Sequence, residues 1–250
     1  KWYQKVKELD PHHPVLTLFA VGLKKVKDWN AWDLACTDHY PMENHHLSDV
    51  YKHAYESDVY AKAKGSPYIF TPLFEKSSGR LRPMNAAEQR AQTYLALIGG
   101  AKGILWWEWP ASYKANWDEI KKLIPEIKLM SPFLLENSPE QEMVYVKEGT
   151  DKTVKVLMKQ LGNKLLIVCA NSDPRPVKVV IKSPVLRQAY TAGVAFEKRK
   201  LALKRGEISD TFAGYGTHVY VVKLPSASPI SRSGKPMPIE LSIDIDNSPL

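Results

Sequence analysis

Between Asn85 and Trp109 the sequence spells out one complete structural unit. Asn85 is followed by Glu88 at capping-box spacing, and Ala87, Ala91, Tyr94, Leu95 and Ile98 then recur at helical spacing until Gly99 and Gly100 stop the helix. The run Gly103-Ile104-Leu105-Trp106-Trp107-Glu108-Trp109 follows directly. It is a short apolar strand ending in one carboxylate among three indoles. A helix delivered by a tight turn into a continuous apolar strand belongs to a parallel sheet, whose strands are buried on both faces. One reading makes Trp106, Trp107 and Trp109 core and Glu108 the end of the strand. The other makes them a cleft: an indole offers a flat apolar face to the C–H side of a sugar, and a carboxylate in such a setting has its pKa raised enough to act as an acid near neutral pH.

The same alternation runs back through the chain. Pro14 to Ala20 and Asp33 to Asp38 read as strands, Tyr51, Tyr55, Val59 and Ala63 mark a helix closed by Gly65, and Pro67 to Phe74 is a third strand. After Trp109, Asn116 and Glu119 repeat the capping pattern ahead of Ile120, Leu123, Ile124 and Ile127, with Pro125 expected to kink or split that helix. Strands alternating with helices imply parallel pairing through crossover helices. Four such units fit into the first 135 or so residues. A closed (β/α)8 barrel takes about 250 residues, so four units amount to its half.

From Met143 the texture changes. Met143 to Val146, Val154 to Lys159, Leu165 to Ala170, Val177 to Ile181 and His218 to Val222 are short strand-like segments separated by Gly162-Asn163, Asn171 to Pro174 and Arg205-Gly206. Such spacing predicts an antiparallel β-sandwich. The boundary is expected within Glu136 to Gln141, which gives a β/α segment over 1–137, a sandwich over 138–224 and a Ser/Pro-rich linker or tail over 225–250.

Three stretches carry a resemblance. Asp33-Leu34-Ala35-Cys36-Thr37-Asp38-His39-Tyr40-Pro41 resembles the sixth-strand exit of clan-A-like glycoside hydrolase barrels, where an Asp-x-Tyr-Pro sequence leaves the strand. Glu88 to Leu97 followed by Gly100-Ala101-Lys102-Gly103-Ile104 is similar to the helix and eighth strand of the same proteins, and Gly206 to Leu224 to the last strands of the sandwich behind them. The resemblance implies an α/β plus all-β fold: strands five to eight of a (β/α)8 TIM barrel, then an antiparallel sandwich. It implies a glycoside hydrolase acting on oligo- or polysaccharide. The first four units, with the acid/base on the fourth strand, would come from an absent N-terminal half or a second chain. The nucleophile is expected on the seventh strand, after an apolar run and Thr. Here Pro72 stands at that place and Glu75 follows three residues later.

The candidate catalytic residues are therefore Glu108 and Glu75, and the candidate sugar-binding residues Asp38, Tyr40, Trp106, Trp107 and Trp109. Strand alternation puts Trp106 with Glu108, and Trp107 with Trp109. A non-catalytic carbohydrate-binding scaffold on the same fold is the competing reading, with Pro72 marking a lost nucleophile. His39, His45 and His46 near Glu43 match no standard ligand spacing, so no metal is expected, and no cofactor. The net charge of +8 comes from dispersed basic residues, the densest run being Lys198-Arg199-Lys200, which suits a solvated hairpin edge better than a nucleic-acid surface. There is no membrane-length apolar run. Cys36 and Cys169 fall in different predicted sheets and read as buried free thiols.

Overall fold

The computed structural model describes residues 1–20, 22–41, 46–72, 83–107, 113–136 and 153–225, together with the backbone of Leu241–Asp244. The chain divides into two compact units, Lys1–Glu119 and Ile120–Leu250. The expected boundary at 137/138 lies further along, so most of the last helix groups with the second unit.

The first unit runs α1 (Trp2–Leu9), β1 (Leu16–Phe19), β2 (Leu34–His39), α2 (Ser48–Ala63), β3 (Tyr68–Pro72), α3 (Ala86–Ile98), β4 (Gly103–Ile104) and the start of α4 (Lys114–Leu134). The four strands pair in chain order and in parallel. Among its described residues the β1–β2 connection holds a 3₁₀ turn at Leu23–Lys25, and Trp32 packs edge-on against Phe19 with Trp29 beside it. Helix α1 is tied down by Asp33, which accepts from the Val15 amide (2.7 Å), Tyr3 Oη (2.7 Å) and Lys7 Nζ (3.3 Å).

Helix α3 begins as its sequence predicts. The Asn85 side chain accepts from the Glu88 amide and the Glu88 carboxylate accepts from the Asn85 amide. Gly99 and Gly100 end it, and both are required: a Cβ on Gly99 would lie 2.6 Å from Ala54 Cβ of α2, and Gly100 sits at φ +111° against the Asp58 carboxylate. Two helix expectations need correction. The buried face of α2 is Val50, Ala54, Ser57, Asp58 and Ala61, while Val59 is exposed, because the close approach of α3 selects the small residues. Helix α4 runs unbroken from Lys114 to Leu134 with Pro125 and Pro132 inside it, and Asn116 and Glu119 lie within the helix. Their polar groups reach elsewhere, to the Met84 carbonyl (2.8 Å) and to Arg90 Nη1 (2.7 Å). Among the described residues no helix is long and apolar enough to cross a membrane.

The second unit holds β5 (Val154–Leu161), β6 (Lys164–Asn171), β7 (Val177–Lys182), β8 (Thr191–Ala195), β9 (Arg199–Ala202), β10 (Glu207–Phe212), β11 (Thr217–Lys223) and β12 (Leu241–Asp244). They form a five-stranded sheet, β5-β6-β11-β8-β9, and a three-stranded sheet, β10-β7-β12, with antiparallel neighbours throughout. One core fills the space between the sheets: Val154, Val156, Leu165 and Ile167 from one side, Val179, Ile181 and Phe212 from the other, and Tyr220 among them. Strand β10 falls within the Gly206–Leu224 stretch expected to hold sandwich strands, while β8 was not expected from its sequence. The expected 225–250 tail contributes β12, whose Leu-Ser-Ile-Asp pattern pairs with the otherwise open edge of β7. The expected strand at Met143 to Val146 lies outside the described residues. Both cysteines are buried and free.

Candidate functional site

Strand alternation sorts the residues of the parallel sheet onto two faces. Thr37 Oγ1 lies 2.9 Å from His53 Nε2 of α2, and Trp106 Nε1 donates to Thr93 Oγ1 of α3 at 3.2 Å. These contacts identify the helix-covered face. It carries Ala35, Thr37, His39, Tyr68, Phe70, Pro72, Ile104 and Trp106. The opposite face carries Leu16, Leu18, Cys36, Asp38, Ile69, Thr71, Leu105 and Trp107. On it Leu16, Leu18 and Leu105 are 37 %, 44 % and 49 % exposed, an unusual amount for aliphatic residues in a parallel sheet.

At the C-terminal ends of β2–β4 this open face becomes polar. Asp38 pairs in register with Thr71, and Cys36 Sγ lies 3.1 Å from Thr71 Oγ1. Burial pushes the Cys36 thiol up; the Thr71 bond works against this and the nearby Asp38 charge adds to it. Burial therefore favours the neutral thiol. The Trp107 amide donates to the Pro72 carbonyl (3.1 Å), which sets its half-exposed indole on the rim beside β3. Tyr40 follows β2 by one residue and is partly buried. Among the described residues of this rim Asp38 is the one carboxylate.

Behind the rim lies a polar chain that strand-by-strand reading missed. Thr37 Oγ1 is shared between Tyr68 Oη (2.8 Å) and His53 Nε2 (2.9 Å), and the His39 ring stacks on His53 at 5.0 Å and 13°. Burial lowers the His53 pKa, outweighing the attraction of Asp38, so the imidazole is neutral at pH 7. The only signal for it was the Thr-Asp-His run of β2 facing a helix that carries a histidine. Of the sequence candidates, Asp38 and Trp107 share the open face. Trp106 does not join them: its indole is bound to α3, because one step along a strand reverses the side. Glu75, Glu108 and Trp109 lie outside the described residues, as do Glu43 and His45. Among the described residues no cluster of three or more His, Cys, Asp or Glu is arranged to hold a metal ion.

Solved structures of glycoside hydrolases match this chain in fold. An α-amylase from Anoxybacillus superposes with a TM-score of 0.50 at 9 % identity over 78 % of this chain. AmyP in complex with maltose gives 0.53 at 10 % over 86 %. An α-amylase from Geobacillus thermoleovorans complexed with acarbose gives 0.50 at 9 % over 77 %. The matched regions cover 53 %, 56 % and 54 % of those chains, so this chain spans about half their length. At this identity the likeness is one of fold. No family model and no curated protein sequence matches the chain.

Proposed function

We propose that the chain forms part of a glycoside hydrolase and that the C-terminal ends of β2–β4 line its sugar cleft. The observation that carries this reading is the shared face of Asp38 and Trp107 on the rim of a sheet whose fold matches the α-amylases. A flat indole and a hydrogen-bonding carboxylate on one face, here with β3 between them, are what a pyranose needs on its two sides. In this reading Trp107 is the platform, Asp38 and Tyr40 bond sugar hydroxyls, Trp109 extends the wall, and Glu108 and Glu75 are the candidate carboxylates for the chemistry. Trp106 supports the strand from behind.

The reading includes a partner. The open face exposes leucines, and within the described residues β1 and β4 each pair on one side only. Four further β/α units, from another segment or a second chain, would cover both edges and complete a barrel. A non-catalytic sugar-binding scaffold is the second reading, favoured by Pro72 at the end of β3, where the glycosidase resemblance calls for an acid.

The deciding experiment is turnover of α- and β-linked oligosaccharides by the intact protein, its Glu75→Gln and Glu108→Gln forms, and Trp107→Ala. Loss of turnover in one carboxamide variant with sugar binding retained establishes the enzyme. Binding without turnover, weakened by Trp107→Ala by about 1 kcal/mol, establishes the scaffold. Neither binding nor turnover removes both readings.

A further inference from the structure

The chain's positive charge sits in one place. Residues 153–225 hold thirteen lysines and arginines against four acids, while the whole chain carries a net +8. All four acids are already engaged: Asp173 with Arg175, Glu197 and Asp210 with Arg199, and Glu207 with Lys182. The remaining cations are not evenly spread.

Lys155, Lys178 and Lys198 lie toward one end of the two-sheet unit, while the other end holds five of these ten. Two connections cross between the sheets there, the 3₁₀ turn Pro184–Gln188 and the two-residue turn joining Lys204 to Glu207. They pack on each other so closely that a Cβ on Gly206 would meet Arg187 Cγ at 2.6 Å, and the Ser183 amide donates to the Gly206 carbonyl. The Leu203 amide donates to the Tyr190 carbonyl at 2.8 Å, so Tyr190 is at the same end, with 87 % of its surface exposed. The five-stranded sheet ends there too, with Lys164 directly opposite Lys223. Arg187, Lys204, Arg205, Lys164 and Lys223 thus share one end of the sheets with an exposed tyrosine. Glu207, the acid of the turn from Lys204, is taken by Lys182 at 3.2 Å.

Two features of this end oppose stability. Arg205 holds φ +55° ahead of Gly206 at φ +79°, the turn geometry that strongly favours Asn-Gly. Lys164 and Lys223 are like charges on directly paired residues, which repel.

We propose that this end of the two-sheet unit is a binding surface for an acidic polysaccharide, a uronate-bearing polymer. Neighbouring strands are about 4.8 Å apart, comparable with one sugar residue, so Lys164 and Lys223 on adjacent strands can meet successive carboxylates, with Arg187, Lys204 and Arg205 in the connections at the same end. Tyr190 offers the aromatic face on which a pyranose ring stacks, which a purely charged patch lacks. The proposal rests on the preceding reading only in choosing a polysaccharide over other polyanions.

The test uses the full 250-residue chain and four probes: polygalacturonate, neutral xylan, polyglutamate and duplex DNA, each titrated at rising salt. Polygalacturonate should bind best, with affinity falling as salt rises. Arg205→Asn combined with Lys164→Gln and Lys223→Gln should weaken it by about tenfold while leaving Tm unchanged or higher, so that misfolding cannot explain the loss. Should the triple variant fail to fold, Arg205→Asn alone carries the comparison. Tyr190→Ala should lower polygalacturonate binding and leave polyglutamate binding unaltered. Absence of polygalacturonate binding, indifference to the triple substitution, or equal or tighter binding of polyglutamate or DNA overturns the proposal. Neutral-sugar binding at the β2–β4 rim, followed through Asp38→Ala and Trp107→Ala, reads the other site independently. Its loss with patch binding intact removes the glycosidase reading alone, and the converse removes the patch alone.

Discussion

Adjacent residues of β2 have opposite fates. Thr37 turns to the helices and is locked between Tyr68 and His53, while Asp38 turns to the open face and keeps a rim position. His53 makes this arrangement pH-sensitive. Its folded pKa lies below the ordinary 6.5, so the unfolded chain takes up its proton first as pH falls. The stability it permits is intact above pH 6.5 and is lost progressively as pH falls below that value. Thermal melts between pH 7.5 and 5.5 should show a declining Tm, and His53→Gln should flatten the decline; an unaltered slope would mean that other groups govern it. Cys36 belongs to the same neighbourhood. Buried and raised in pKa, it should react with a thiol reagent at pH 8 far more slowly than a free thiol until the chain is unfolded.

Among the elements, α3 is the most securely specified, since both of its ends are written in side chains. Asn85→Ala removes the acceptor for the Glu88 amide and should cost about 1 kcal/mol in denaturant melts. The two antiparallel sheets have a different fastening. Arg199 of β9 donates to both oxygens of Asp210 on β10 at 3.1 and 2.7 Å, and Tyr220 of β11 adds a third bond at 2.9 Å. This joins the five-stranded sheet to the three-stranded one through groups mostly withdrawn from water. Burial alone would raise the Asp210 pKa, but the bonds from Arg199 and Tyr220 outweigh it and hold the carboxyl below its ordinary 3.8. The contribution is present above that value and lost as pH falls through the lower, folded pKa. Asp210→Asn should therefore lower stability at pH 7 by about 2 kcal/mol and reduce the acid sensitivity of unfolding below pH 4. Equal stability of the two proteins at pH 7 would show that the bonds merely replace hydration.

At the scale of the whole molecule, the open face of the parallel sheet is the dominant feature. Leu16, Leu18, Leu105 and Trp107 present apolar surface where a parallel sheet is ordinarily covered on both sides. The 28.3 kDa chain by itself should bind an apolar dye and associate with rising concentration, and Leu18→Lys should suppress both without lowering helix content. A monodisperse monomer that ignores the dye would show the face to be closed and would remove the barrel-completion reading.

Period and punctuation in the sequence determined the element types: the capping box at Asn85, the glycine stop at Gly99-Gly100, the parallel strands as apolar runs, and β5, β6, β7 and β11 as alternating ones. They also placed Asp38 and Trp107 at strand ends. These are local properties, because each depends on residues within one helical turn or one strand repeat. What only tertiary structure decided was facing and partnership. Trp106 went to α3 and Trp107 to the rim, α2 turned its small residues inward because Gly99 allowed α3 to approach Ala54, and the tail found the edge of β7. Period 2 separates two faces without saying which one meets the helices, and a charge count does not reveal that five cations from four separate segments share one end of the sheets with Tyr190. Both are settled only when distant segments pack together.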